Sequence, residues 1–131
     1  MAPLLSIRLW RAAFAVYVLA LLVLTHWPRL NPPGAQAGSD KVAHFVAYAL
    51  WTWLAIGAGL FGPRTSRRNL LLAAALAAAW SALDETSQLI PIFDRQFSVL
   101  DMAANLGGVL AASALAMMVI RPAPEDAGPE R

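Results

Sequence analysis

Asp84 and Glu85 are adjacent acids near the end of a run of Ala and Leu, and Gln88 follows one helical turn later. Lys41, His44 and Tyr48 recur at i, i+3 and i+7 where another apolar run begins, and Asp101, Asn105 and Gly108 recur at i, i+4 and i+7 where a third begins. Such spacings put each set on one helical face. Paired carboxylates beside an imidazole suit general acid–base work, because burial and neighbours can separate their pKa values; Asp84 or Glu85 would be the base and His44 the acid. His44, Asp84, Glu85 and Asp101 are also the donor types that hold a hard or borderline cation. A pocket that only binds is the third use of the same side chains. Lys41, His44 and Arg95 would meet phosphate or carboxylate, and Asp84, Glu85, Gln88 and Asn105 would meet hydroxyl or amide groups, with Asp40, Tyr48 and Asp101 completing the ligand-binding set. No H-E-x-x-H, G-x-S-x-G or other established catalytic signature accompanies these residues. Asp84, Glu85 and His44 are therefore catalytic candidates only, and no metal or cofactor is assigned.

The elements that carry this set are apolar. Hydrophobic residues make up 59% of the 131-residue chain and charged residues 14%, and the mean hydropathy is +0.56. Those values lie outside the range of soluble domains. In so short a chain the apolar runs have no larger body to cover them, so the expected solvent is lipid. Four runs read as spans, over residues 11–27, 42–61, 70–90 and 99–120. The expected fold is all-α: a polytopic bundle of four transmembrane helices in one domain, residues 1–121, followed by a Pro-rich tail over 122–131 expected to be disordered. Gly62 and Pro63 should end the second span and Pro91 the third. Gly107 and Gly108 in the fourth allow close helix approach. The basic start of the first run and the small residues Ala35 and Ala37 resemble a signal peptide, but that cleavage pattern lies beyond Pro32 and Pro33, too far from the apolar run, so the run is kept as a span.

Arg8, Arg11, Arg64, Arg67, Arg68, Arg121 and Arg131 fall on one side of these spans, and only Arg29, Lys41 and Arg95 on the other. The positive-inside rule then makes both termini cytoplasmic. The polar sets should share one depth near the outer face. A carboxylate at the bilayer centre costs on the order of 2.5–3.5 kcal/mol on insertion scales, so the acids should turn inward towards Lys41, His44 and Arg95. The plainer alternative is a network that only fixes helix register. Thr25, His26 and Trp27 suit an interface, and Trp51 and Trp53 suit an interface or packing. The inner halves of the spans offer only Thr52, Ser81 and Ser113, which ranks an ion path last. The chain has no cysteine, which excludes disulfides and thiol chemistry. Its arginines form short clusters without interleaved aromatics, so nucleic acid is not an expected partner.

Taken together, Asp40-Lys41-x-x-His44-Phe45-x-x-Tyr48, Asp84-Glu85-x-x-Gln88, Arg95, and Asp101-x-x-x-Asn105-x-Gly107-Gly108 resemble the VanZ-like family of small bacterial membrane proteins. The resemblance covers roughly residues 40–110, and linked motifs in the right order are more specific than any one of them. In the family a Pro-Gly pair directly precedes the loop arginine; here Asp94 precedes Arg95 and Pro91 lies earlier. The resemblance implies a multi-pass protein of the bacterial cytoplasmic membrane, the inner membrane of the cell envelope. The family is named for a member linked to resistance against the lipoglycopeptide teicoplanin. Membrane lipids and an amphiphilic, lipoglycopeptide-like or lipid-linked envelope ligand are therefore the partners it implies, and antibiotic resistance is the associated process. The alternative is a membrane-embedded hydrolase or transferase acting on a phosphorylated or glycosylated lipid.

Overall fold

The computed structural model describes residues 6–26, 38–90 and 97–119. Among the described residues there are four helices and no strand: α1 (Ile7–His26), α2 (Ser39–Ala58), α3 (Arg67–Ser87) and α4 (Val99–Val119). The fold is all-α, and the helix limits depart from the expected ones for local reasons. α2 stops at Ala58 and not at residue 61, because Gly59 turns left-handed with φ 58° and its N–H returns to the Ile56 carbonyl. Only a residue without a Cβ takes that cap at no steric cost. α3 begins at Arg67 and not at residue 70, because Ser66, in extended conformation, accepts the Asn69 N–H at 3.2 Å. That is an N-cap, and it lies before the apolar residues by which the span was recognised. α3 also ends at Ser87 where 90 was expected, and α1 starts at Ile7 where 11 was expected. Trp27, Ile120 and the 122–131 tail lie outside the described residues.

Hydrogen bonds fix the relative directions. Arg11 Nε donates to the Ala58 carbonyl at 3.1 Å and Tyr17 Oη donates to the Ala47 carbonyl at 2.8 Å, so α1 and α2 are antiparallel. Asn69 Nδ2 reaches the Ile56 carbonyl at 3.0 Å while Tyr48 Oη reaches Asp84 Oδ2 at 3.1 Å, which sets α2 against α3 the same way. His44 meets Asn105, and Lys41 meets Asp101, so α2 and α4 run parallel. The ends of α1 and α3 and the starts of α2 and α4 therefore share one end of the bundle. The opposite end gathers Arg8, Arg11, Arg64, Arg67 and Arg68, with the Arg64 guanidinium 5.5 Å from the centre of the Trp10 ring, within cation–π range.

Inside, the bundle packs small residues around a few aromatics. Ala55, Ala58, Ala73, Ala77 and Ala116 are fully buried. Trp51 is a packing aromatic, buried and set edge-on to Phe14 at 4.9 Å between centroids. A Cβ on Gly108 would collide with the Phe45 carbonyl and the Ala49 N–H of α2, so α4 approaches α2 backbone to backbone. Thr52 and Ser113 each donate to the carbonyl four residues back, at 2.8 Å. The interior of the basic end is more polar than the sequence suggests. Asn69 is fully buried there; its Nδ2 serves the Ile56 carbonyl and its Oδ1 accepts the Phe61 N–H at 3.1 Å. One amide side chain thus gives the Ile56 carbonyl a second donor beside the Gly59 N–H and the Phe61 N–H an acceptor, tying the start of α3 to the turn after α2.

The outside is apolar. Val16 is 67% exposed, Leu83 64%, Leu110 70% and Met118 79%. α1 and α4 are long and apolar enough to cross a membrane. α2 carries Asp40, Lys41 and His44, and α3 carries Arg67 and Arg68 at one end and Asp84 and Glu85 at the other, which makes these two helices the more heavily charged pair.

Candidate functional site

Successive residues on a helix point about 100° apart, and α3 uses that angle to send its two acids to different neighbours. Asp84 turns towards α1 and α2. Its Oδ2 accepts from Tyr48 Oη at 3.1 Å and its Oδ1 from Thr25 Oγ1 at 2.8 Å. His26 Nδ1 lies 3.8 Å from Asp84 Oδ1, and His26 Nε2 is 2.8 Å from Ser87 Oγ, which itself donates to the Asp84 carbonyl at 2.6 Å. Asp84 is 4% exposed, and both of its oxygens are served, as a buried carboxylate requires.

Glu85 turns towards α2 and α4 and is completely buried. Its Oε1 accepts a long hydrogen bond from Asn105 Nδ2 at 3.4 Å and lies 3.6 Å from His44 Nδ1. Because the Asn105 amide nitrogen faces that carboxylate, its carbonyl oxygen is the atom presented to His44 Nδ1, at 3.0 Å. A carbonyl oxygen only accepts, so Nδ1 carries the hydrogen and Nε2 is the ring nitrogen left for another partner. His44 Nε2 lies 3.9 Å from Asp101 Oδ2, too far for a hydrogen bond. The Ser98 backbone N–H also points to the Glu85 carboxylate. Even so, Glu85 Oε2 has no hydrogen-bond partner among the described residues, nor does the buried Gln88 Nε2.

Lys41 closes the outer rim. Its ammonium pairs with Asp101 Oδ1 and, at 2.6 Å, with Asp40 Oδ2. These two residues occupy the first turn of α2, ahead of the apolar stretch that begins at Val42. Asp101, and after it Asp40, holds the Lys41 ammonium above its ordinary range, and Lys41 holds the Asp40 carboxyl below its own. Ser98 Oγ accepts the Asp101 N–H at 3.2 Å and caps α4, which fixes where Asp101 leaves the helix.

The residues singled out from the sequence are therefore brought to one end of the bundle, but in two groups. Tyr48 was expected on a common stripe with Lys41 and His44; it instead joins Asp84, on the α1 side. Asp84 accordingly leaves the set of cation donors named from the sequence. Lys41, His44, Glu85, Asp101 and Asn105 form the other group, with Asp40 at its exposed edge. Arg95 lies outside the described residues. Thr25, His26 and Ser87 were missed: the first two were read as interface residues and the third was not singled out. Thr25 and His26 are a polar pair following an unbroken apolar run, and their inward direction depends on α1 packing antiparallel to α2, which no local pattern encodes. Compared with known proteins, the chain matches no family model, no curated protein and no solved structure.

Proposed function

We propose that the chain is a four-span, VanZ-like protein of the bacterial cytoplasmic membrane that binds the polar head of an amphiphilic or lipid-linked envelope ligand at its outer face. The membrane half of this reading is supported by an inverted distribution of polarity. Asn69, Glu85 and Asn105 are fully buried while Leu83, Leu110 and Met118 face outward. In water each exposed apolar Å² forgoes about 25 cal/mol; lipid removes that loss. All four helices have 20 or 21 residues, hence about 30 Å of length, the thickness of a bilayer's hydrocarbon. α2 and α3 can cross because the ionisable residues away from their first turns, His44, Asp84 and Glu85, turn inward. The basic end faces the cytoplasm, where positive charge is retained. The absence of native cysteine makes the orientation directly testable. Ser39→Cys should react with an impermeant maleimide from outside the cell and Thr65→Cys only after the membrane is opened; the reverse pattern rejects the orientation.

The binding half rests on one observation: Glu85 Oε2 and Gln88 Nε2 are a buried acceptor and a buried donor, one turn apart on α3, with no hydrogen-bond partner among the described residues. A network built only to fix helix register would close on itself, since each orphaned polar group costs about 1–3 kcal/mol. A ligand hydroxyl or amide supplies both missing bonds, and Lys41 at the rim supplies an ammonium for a head-group phosphate or carboxylate. Mass spectrometry of protein purified in mild detergent should find a co-purifying amphiphile that Glu85→Gln, Lys41→Gln and Arg95→Gln lose. Lipid content unchanged in all of these variants rejects the reading.

A hydrolase or transferase acting on a phosphorylated or glycosylated lipid is the second reading, favoured by the 3.6 Å approach of the His44 imidazole to the buried Glu85 carboxylate. Turnover of lipid phosphates by the wild type, lost in Glu85→Gln, would establish it. No turnover with or without divalent cations removes it.

A further inference from the structure

His44, Glu85 and Asp101 each offer one donor atom, and these atoms all lie within 4.8 Å of one another. They come from three helices, α2, α3 and α4, so only the tertiary fold assembles them. Two features point to a ligand and not merely to a cluster. Glu85 is wholly buried, yet Oε2 has no hydrogen-bond partner among the described residues, an arrangement in which a bound cation would offset the desolvation of the charged form. The imidazole is also set up for coordination: Nδ1 is held by the Asn105 carbonyl oxygen at 3.0 Å, and Nε2 faces Asp101 Oδ2 at 3.9 Å. Metal-binding histidines are oriented in this way, one nitrogen fixed by a neighbouring acceptor and the other left for the ion. Charge agrees. Among the described residues, Asp40, Glu85 and Asp101 set three carboxylates against the single ammonium of Lys41 at this end of α2 and α4.

The geometry points to a binding site for one divalent transition-metal ion, of the Zn²⁺ or Mn²⁺ class, held by His44 Nε2 and the carboxylates of Glu85 and Asp101. One imidazole with two carboxylates is a borderline donor set that favours such ions over Mg²⁺. Bonds of about 2.1 Å draw the donor atoms inward by roughly 1 Å, which the partly exposed Asp101 side chain accommodates. Lys41 occupies Asp101 in competition with the ion. Asp84 is excluded because Tyr48 and Thr25 already serve its oxygens. The site does not depend on the amphiphile reading, since all its ligands belong to the chain.

The test uses full-length protein in detergent, stripped of metal by a chelator, titrated calorimetrically with ZnCl₂. One ion per chain should bind, an excess of Mg²⁺ should not displace it, and His44→Ala or Glu85→Gln should weaken it at least 10-fold. Lys41→Met should tighten binding several-fold by releasing Asp101; this variant keeps all three ligands, so it stays informative where a ligand variant fails to fold. Ring ¹⁵N spectra should show Zn²⁺ moving the Nε2 signal of His44 and leaving His26 unchanged. Binding that is equal in wild type and His44→Ala, a shift at His26 alone, or weaker binding in Lys41→Met overturns the site. Lipid retention measured on the same samples keeps the two readings separate: retention without Zn²⁺ binding rejects only the metal site, and Zn²⁺ binding without retention rejects only the amphiphile.

Discussion

Asp84 and Glu85 are consecutive residues whose carboxylates serve different walls of the bundle: Asp84 accepts from Tyr48 and Thr25, at 3.1 and 2.8 Å, while Glu85 lies 3.6 Å from His44 and keeps one oxygen without a hydrogen bond among the described residues. The two acids should therefore respond in opposite ways to neutralisation.

Removing the charge of Glu85 should stabilise the fold. Gln has nearly the same shape and drops a buried charge whose compensation is incomplete, so Glu85→Gln should gain about 1 kcal/mol, seen as a higher melting temperature in detergent without added metal or ligand. Residues kept for function often show this trade of stability for activity. A melting temperature lowered by Glu85→Gln would mean that the carboxylate is already fully compensated.

Asp84 should behave as a structural acid. Asp84→Ala strands the buried hydroxyl of Tyr48, removes the strongest acceptor of the Thr25 hydroxyl and should cost about 2–4 kcal/mol. A double-mutant cycle between Thr25→Val and Asp84→Ala should give a coupling of about 1.5–3 kcal/mol, the range for hydrogen bonds to charged groups. Zero coupling would place α1 elsewhere.

Gly108 and Gly57 predict a ranked pair. A Cβ at Gly108 meets the Phe45 backbone, which cannot yield, whereas one at Gly57 meets the ring of Trp10. Gly108→Ala should cost at least 2 kcal/mol or so and part α2 from α4. Gly57→Ala should cost less and be relieved by Trp10→Leu, both measured by thermal unfolding. Equal losses would contradict the backbone contact.

The Lys41 pairs carry a pH signature. Because Asp101 and Asp40 hold the Lys41 ammonium above its ordinary range, their contribution is fully present below the unfolded lysine value, about 10.4, and is lost as pH rises through the higher folded value. The melting-temperature gap between wild type and Lys41→Met should therefore stay flat from neutral pH to about 10 and close above it. A gap that closes below pH 8 would assign it to another group.

The helical class and the convergence of polar residues at one end were legible because hydropathy and the i, i+3, i+4 spacings are local quantities. Helix limits were read less well, since Gly59 and Ser66 end and start helices by backbone conformation and capping, which leave little trace in apolarity. The division of the polar set was not legible. Lys41, His44 and Tyr48 fit one loose stripe on paper, but the angular spread of that stripe is wide enough for Tyr48 to reach α3 while His44 reaches α4. Thr25 and His26 entered the site through the packing of α1, and Asn69 did so at the other end, where its amide serves a carbonyl thirteen positions away.

Gly108 lies one turn below Asn105, and Phe45 adjoins His44, so the spacing of the two walls is set by main chain resting on main chain. Side chains above that contact can be exchanged without altering how far apart the walls stand. The spacing of the groups that α2 and α4 contribute is thus inherited from the scaffold, and changes in selectivity would come from the chemistry of those side chains and not from the distance between the helices.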